Sequence, residues 1–246
     1  MSSALKGISL WIEAVENIVF PPHCFICEKS ILSAGSQYVC SDCSRSLKAL
    51  LKPLCSICGR PINVFYPEEI RCADCRVNPP QYDTAVSAVK LCKRAKALVH
   101  KFKYHGNFGA GKAIVSLMQD SGVLDNISAD FLVPVPLAFS ERFKRGFNQT
   151  EYLSKMISNK SGIPQYNILK KIRKTNRQTS LNRKQRLKNL EGVFEIKKGC
   201  KISGKRVLIV DDVYTTGATV NACATALKKA FPASIGVLTF ARTLRS

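Results

Sequence analysis

The spacing of apolar residues changes character twice along the chain. Near the start, Ile8, Trp11, Ile12, Val15 and Val19 recur three and four apart, which predicts an amphipathic helix. Glu13 and Glu16 interrupt that apolar run and no small-residue cleavage site follows it. The segment is therefore expected to dock on a neighbouring surface rather than act as a signal peptide or membrane anchor. Between residues 20 and 80, short apolar pieces are broken by proline, serine and cysteine, and no long element is expected. After Pro79-Pro80 the pattern becomes regular. Strands are predicted at Ala85–Lys90, Asp130–Val135, Phe194–Ile196, Arg206–Val210 and Ile235–Phe240. Helices are predicted at Arg94–Phe102, Ala110–Gln119, Thr150–Asn159 and Thr219–Ala230. Strands alternating with helices predict an α/β fold, a mainly parallel sheet with helices on both faces. The expected organisation is a cysteine-rich module over residues 1–80 and an α/β domain over residues 81–246.

Composition adds two facts. Hydrophobic residues make up 46% of the 246, enough for a packed core, and no run reaches the roughly 20 apolar residues of a membrane-spanning helix. Stable membrane insertion is not expected, and the cytoplasm is the expected location. The 38 Lys and Arg outnumber 17 Asp and Glu, for a net charge of +21, which points to a polyanionic partner. The excess is concentrated. Thr84–Gln119 holds seven basic residues and no acid, and Tyr152–Leu190 holds eleven and no acid. Solvated surfaces mix signs, so two acid-free runs of this length are poorly explained by solubility. Within the second run Lys170, Lys171, Arg173, Lys174, Arg177, Arg183, Lys184 and Arg186 are interleaved with Asn, Gln and Thr but no aromatic. That composition suits phosphate-backbone contact, with stacking residues to come from elsewhere, Phe102, Tyr104, Phe143 or Phe147. Isolated aromatics usually pack inward, and these four are expected to follow that rule.

Eight of the eleven cysteines form four CxxC pairs, Cys24/Cys27, Cys40/Cys43, Cys55/Cys58 and Cys72/Cys75, separated by 12, 11 and 13 residues. A CxxC turn aims two thiolates at one point, and two such turns complete a tetrahedral sulfur shell for zinc. Two structural four-cysteine sites are expected, paired either in sequence or in a cross-braced fashion. Short ribbons close locally, which favours the sequential arrangement. A filled shell leaves no position for water, so Lewis-acid chemistry is not expected there. Two loaded shells would lower the net charge to about +17.

The sharpest motif is Val207-Leu-Ile-Val-Asp-Asp-Val-Tyr-Thr-Thr-Gly-Ala-Thr219. A β-branched and aliphatic run ends at adjacent acids, then reaches a small, hydroxyl-rich loop opening a helix. Ligands of open α/β sheets bind beyond the carboxyl ends of the strands, where this segment lies. Thr215, Thr216, Gly217, Ala218 and Thr219 can offer N–H groups and hydroxyls to a phosphate at a helix N-terminus. Asp211 and Asp212 point to opposite sides of the strand and can accept hydrogen bonds from ribose hydroxyls. The segment is neither a Walker A loop nor GxGxxG.

This motif resembles the 5-phosphoribosyl-1-pyrophosphate (PRPP) signature of type I phosphoribosyltransferases. Lys101-Phe-Lys-Tyr-His-Gly-Asn107, Val133-Pro-Val-Pro136, Arg142, Arg145-Gly-Phe-Asn-Gln149 and the stretch from Arg173 to Phe194 resemble, more narrowly, the ComF family of competence-associated proteins. The resemblance covers nearly the whole chain. It implies a type I phosphoribosyltransferase-like fold behind a zinc ribbon, with Asp211 and Asp212 on the ribose and Thr215–Thr219 on the 5-phosphate. It also implies that Val135, Pro136, Arg142 and Arg145 face the pyrophosphate, with Mg²⁺ carried largely by PRPP itself. The function it implies is handling of single-stranded DNA during natural transformation. Between Cys24 and Cys75 six basic residues face five acids, and so nearly neutral a module points to docking of a protein, a competence helicase or other DNA-processing protein, ahead of DNA contact. An active phosphoribosyltransferase, or a regulator that senses PRPP, are the alternative readings. No base-binding hood is identifiable for an acceptor, and no catalytic residue is assigned.

Overall fold

The computed structural model describes residues 22–31, 38–62, 70–125, 127–173, 190 and 192–244. The expected N-terminal amphipathic helix and most of the basic stretch after Arg173 lie outside them.

The cysteine-rich part is one small unit used twice. In the first copy Cys24 N–H donates to Lys29 O and Glu28 N–H to Cys24 O; in the second, Cys55 N–H donates to Arg60 O and Gly59 N–H to Cys55 O. Antiparallel bridges His23–Ser30 and Leu54–Pro61 close the two knuckles in the same way. Each then ends in a helix that starts directly after a cysteine, α1 (Ser41–Ser46) after Cys40 and α2 (Ala73–Val77) after Cys72. Both knuckles need a left-handed residue after the second cysteine, Glu28 at φ +64° and Gly59 at φ +68°. Glycine takes that conformation without strain. At Gly59 there is a second reason: a Cβ would overlap the carbonyl of Ala85, so the knuckle backbone lies directly on the next domain.

That domain begins with β1 (Thr84–Lys90), followed by α3 (Lys93–His105) and α4 (Phe108–Asp120). Next come β2 (Phe131–Pro134), α5 (Phe139–Arg145) and α6 (Gln149–Ser161). A short antiparallel ribbon of β3 (Leu169–Lys171) and β4 (Phe194–Ile196) leads to β5 (Arg206–Tyr214), α7 (Ala218–Lys228) and β6 (Ser234–Arg242). The main sheet has the order β1-β6-β5-β2, and every pairing is parallel.

Strand residues alternate between two cores. Leu208, Val210, Leu238 and Phe240 face α3, α4 and α6, packing with Leu98, Phe102, Ile114 and Leu153. Val207, Ile209, Ile235 and Val237 face α7 and the β3–β4 ribbon, packing with Leu227, Cys223 and Phe194. Both faces of the strands are covered, which is why they read as unbroken apolar runs rather than alternating ones.

Both sheet edges are shielded. On β1, Ala49 bridges Val89 and Lys90 N–H donates to Lys48 O at 2.9 Å. On β2, Leu132 N–H donates to Pro164 O at 2.8 Å and its carbonyl accepts from Tyr166 N–H at 2.9 Å. Unpaired strand edges invite intermolecular pairing, and here the cysteine module and the chain after α6 supply the missing partners. The first knuckle also packs against the helical layer: Phe25 fills the space a side chain on Gly109 would need, and Glu28 meets Lys101 at 2.5 Å.

Candidate functional site

The four-cysteine clusters are the simplest part. Cys24, Cys27, Cys40 and Cys43 form one, and Cys55, Cys58, Cys72 and Cys75 the other, with all sulfurs of a cluster within 4.8 Å of one another. The pairs thus join in sequence, not across. Cys27 and Cys40 sulfurs are 3.8 Å apart, and those of Cys58 and Cys72 3.7 Å. A tetrahedral shell with Zn–S bonds of about 2.3 Å places its sulfurs about 3.8 Å apart, so the clusters fit zinc. Local amides favour the thiolate at one cysteine of each cluster, whereas burial and the neighbouring cysteines push Cys43, Cys58 and Cys75 up. At Cys24 burial opposes ionisation, but the backbone groups of Cys27, Cys40 and Ile26 outweigh it and bring the thiol down to about 6. Cys55 is brought to about 7 in the same way, against burial, by Cys58, Cys72 and Ile57.

The acid pair lies on β5, which runs four residues further than its apolar stretch suggests. Register with β6 continues through Asp211↔Thr239 to Tyr214↔Arg242. The acids therefore sit inside a strand, with alternating directions. Asp212 follows Leu208 and Val210 onto the α3 side, where it is 2% exposed. There Lys103 of α3 reaches it, Nζ to Oδ2 at 2.8 Å. The contact is an ion pair, and Oδ2 has no well-aligned hydrogen-bond donor among the described residues. Burial pulls the Lys103 ammonium down, but Asp212 and Asp211 outweigh it and raise its pKa. Asp211, on the other face, accepts from Asp212 N–H at 2.9 Å. Burial, then the neighbouring Asp212 charge, push it up to about 7.

The loop that follows opens α7. Gly217 stands at its N-cap with φ +77°, and a Cβ there would overlap the hydroxyl of Tyr214. Thr215 is exposed, Thr216 Oγ1 accepts from Ala218 N–H at 3.3 Å, and Thr219 is half-buried in the first turn. The loop between β2 and α5 lies beside them, because Val135 N–H donates to Val210 O at 3.0 Å. Its carbonyl is held by Thr150 Oγ1 at 2.6 Å and Asn148 Nδ2 at 3.3 Å. Pro136 and Arg142 line a small cavity of about 90 Å³ with Asn148 and Glu151. Arg142 is exposed, 3.9 Å from Glu151. Arg145 lies over the Tyr104 ring at 5.0 Å and donates to Gln149 Oε1 at 3.1 Å. The acids, the hydroxyl-rich loop, the Val135 loop and Arg145 are thus gathered at one end of the sheet.

Of the basic residues expected to meet nucleic acid, Lys170 pairs with Glu195 at 3.0 Å and Lys171 with Glu141 at 3.4 Å, while Arg173 is exposed. Lys174, Arg177, Arg183, Lys184 and Arg186 lie outside the described residues. The aromatics divide differently from expectation. Phe102 is buried and Phe147 packs against it, but Tyr104 and Phe143 are exposed. Phe139, one turn before Phe143 on α5, is 85% exposed, and Phe143 is 81%. Sequence reasoning also gave Lys103 no role; it lay inside the Lys101–Asn107 motif, but its acid is more than 100 residues away.

The profile of the phosphoribosyl transferase domain matches residues 112–246, more than half of the chain. The chain belongs to the phosphoribosyl transferase domain family. The double zinc ribbon profile matches residues 15–76. Competence protein F of Haemophilus influenzae is 29% identical over 198 residues, covering 78% of this chain and 84% of that protein. DNA utilization protein YhgH of Escherichia coli K12 is 28% identical over 92% of this chain and all of its own length. Competence protein ComFC of Bacillus subtilis is 28% identical, covering 83% of this chain and 84% of that protein. This phosphoribosyl transferase domain protein, with its zinc ribbon, is of the ComF/ComFC type. Lys103 precedes the region matched by the phosphoribosyl transferase profile, so one charge of the site comes from outside it. No helix among the described residues is long and apolar enough to cross a membrane.

Proposed function

We propose that this protein handles single-stranded DNA in the cytoplasm during DNA uptake and binds PRPP at the carboxyl end of β5. One observation carries the reading: an adjacent acid pair inside β5 leads directly into a hydroxyl-rich, left-handed loop opening α7, beside the Val135 loop. A ribose phosphate needs those parts in that order. Asp211 and Asp212 accept the ribose hydroxyls, and Thr215, Thr216, Gly217, Ala218 and Thr219 hold the 5-phosphate with N–H and hydroxyl donors at the helix start. Val135 and Pro136, with Arg142 and Arg145, face the pyrophosphate. Mg²⁺ arrives chelated by PRPP and neutralises pyrophosphate charge when bound. Lys103 balances Asp212, so that two carboxylates can sit side by side next to a polyanion.

The DNA side of the reading rests on charge and on α5. Phe139 and Phe143 stand out from a turn that also carries Arg142, Lys144 and Arg145. Aromatic platforms beside cations are what sequence-tolerant single-strand binding uses. The names of the relatives, competence and DNA utilization proteins, agree with a DNA substrate. Zinc at the two cysteine clusters holds the ribbon, which gives a helicase or another DNA-processing protein a surface to dock on.

The test is ³¹P NMR of PRPP and Mg²⁺ with zinc-loaded protein, with and without nucleobases and single-stranded DNA. Resonances that shift on binding while PRPP stays intact support the binding reading. Steady pyrophosphate release that depends on an acceptor favours the enzyme reading, and resonances that never move overturn PRPP binding.

A further inference from the structure

The second cysteine knuckle and the loop before α7 face each other across one cavity of about 130 Å³. Cys58, Arg60 and Asp74 line it from the knuckle side, and Thr215, Thr216 and Gly217 from the loop side. Two buried side chains tie these walls together. Arg242, at the end of β6, donates through Nη1 to the carbonyl of Cys58, a residue of the second cluster. Its guanidinium lies 4.0 Å over the ring of Tyr214. The Tyr214 hydroxyl bonds that of Tyr82 at 2.6 Å and abuts Gly217, where there is no room for even a methyl group. A contiguous path of contacts therefore runs from Cys58 through Arg242 and Tyr214 to Gly217. Arg242 is 2% exposed and Tyr214 7%, so neither can move without moving its neighbours.

Among the described residues the first cluster has no comparable path. Its knuckle packs on α3 and α4, through Phe25 against Gly109 and Glu28 against Lys101.

We infer that the second four-cysteine cluster is a working part of the ligand site. The metal it holds fixes the Cys58 carbonyl, and Arg242 and Tyr214, as positioning residues, carry that constraint to the loop around Gly217. Coupling of this kind is reciprocal: metal in the second cluster favours a phosphorylated ligand on the loop, and that ligand favours retention of the metal. The first cluster only builds the fold. The ligand side of this inference rests on the PRPP reading above; the metal-to-loop side does not.

Two readouts on the full-length, zinc-loaded protein test it. The first is zinc transfer to a chromophoric chelator with and without PRPP and Mg²⁺. One of two zinc equivalents should leave at least tenfold more slowly when PRPP is saturating. In Arg242→Lys, which keeps the charge but loses the planar fork, zinc should still bind while that protection disappears. The second readout is amide hydrogen exchange over residues 213–221. Exchange should accelerate about tenfold in Arg242→Lys and in Cys58→Ser, but not in Arg45→Ala on α1. Unchanged exchange in Arg242→Lys overturns the coupling whatever PRPP does. Accelerated exchange in a protein that fails to bind PRPP upholds the path from metal to loop and overturns the choice of ligand. Equal protection of both zinc equivalents by PRPP also overturns the inference, since it assigns the second cluster alone.

Discussion

Lys103 Nζ lies 2.8 Å from Asp212 Oδ2, joining helix α3 to strand β5 across more than 100 residues of chain. The pair is sheltered, with the lysine side chain 22% exposed and the aspartate side chain 3%. Removing one member leaves the other charge stranded, which costs more than the pair itself contributes. Lys103→Met should therefore destabilise the protein by about 3 kcal/mol, and Lys103→Met/Asp212→Asn by less than the sum of the two single changes. A double-mutant cycle in urea measures this coupling; additive effects would show that the pair is not a unit.

Asp211 gives a pH signature. Its carboxyl is raised from 3.8 to about 7 in the folded protein, so between those values the native state holds a proton that the unfolded chain has lost. The contribution of Asp211 to stability is then full below pH 3.8 and is lost as pH rises through about 7. Asp211→Asn should remove that part of the pH dependence and make the protein more stable at pH 8, while weakening PRPP binding. Such opposition between stability and function is common at sites that gather like charges. Urea midpoints at pH 5 and pH 8 for both proteins provide the check.

Much of this was readable in the sequence and some was not. The strands around Ile209 and Val237 announced themselves because both faces are buried, and the helices after Lys93 and Gln149 because their apolar residues recur at helical spacing. The extent of β5 was underestimated, since Asp211 and Asp212 look like the end of a strand until Thr239 and Ala241 are seen to continue the ladder. Helix α5 was missed because it is only seven residues long and buries none of them, so Phe139 and Phe143, one turn apart, are too few to mark a helix. The cysteine spacing gave the two clusters, and the bias toward local closure matched the grouping found. The Lys103–Asp212 and Arg242–Cys58 contacts had no local signature, because each depends on a packing of elements far apart in the chain.

Gly217 offers a test of the loop. At φ +77°, with the Tyr214 hydroxyl against it, alanine is both strained and blocked. Gly217→Ala should lower PRPP affinity at least tenfold while leaving the zinc content unchanged. Calorimetry and elemental analysis of the purified variant separate the two quantities, and full PRPP affinity would remove the loop from the site.

For DNA, backbone contact makes a salt prediction. If about six phosphates are neutralised, the log–log slope of single-strand affinity against salt should be about −4. Phe143→Ala should cost about 1–3 kcal/mol at any salt without changing that slope, because stacking and charge act separately. Fluorescence anisotropy of a labelled oligonucleotide between low and physiological salt reads both, and a flat salt response would rule out backbone contact.

Metal content gives a simpler expectation: two zinc ions per chain, falling to one in Cys40→Ser, measured by elemental analysis of the folded fraction.

The central claim is that the acid pair of β5 and the loop before α7 form a PRPP site. Calorimetric titration of PRPP and Mg²⁺ into the zinc-loaded protein tests it most directly, with Asp212→Asn as the comparison. The account predicts one site per chain in the wild type and at least a tenfold loss of affinity in the variant. Equal binding by both proteins, or none by the wild type, would contradict it.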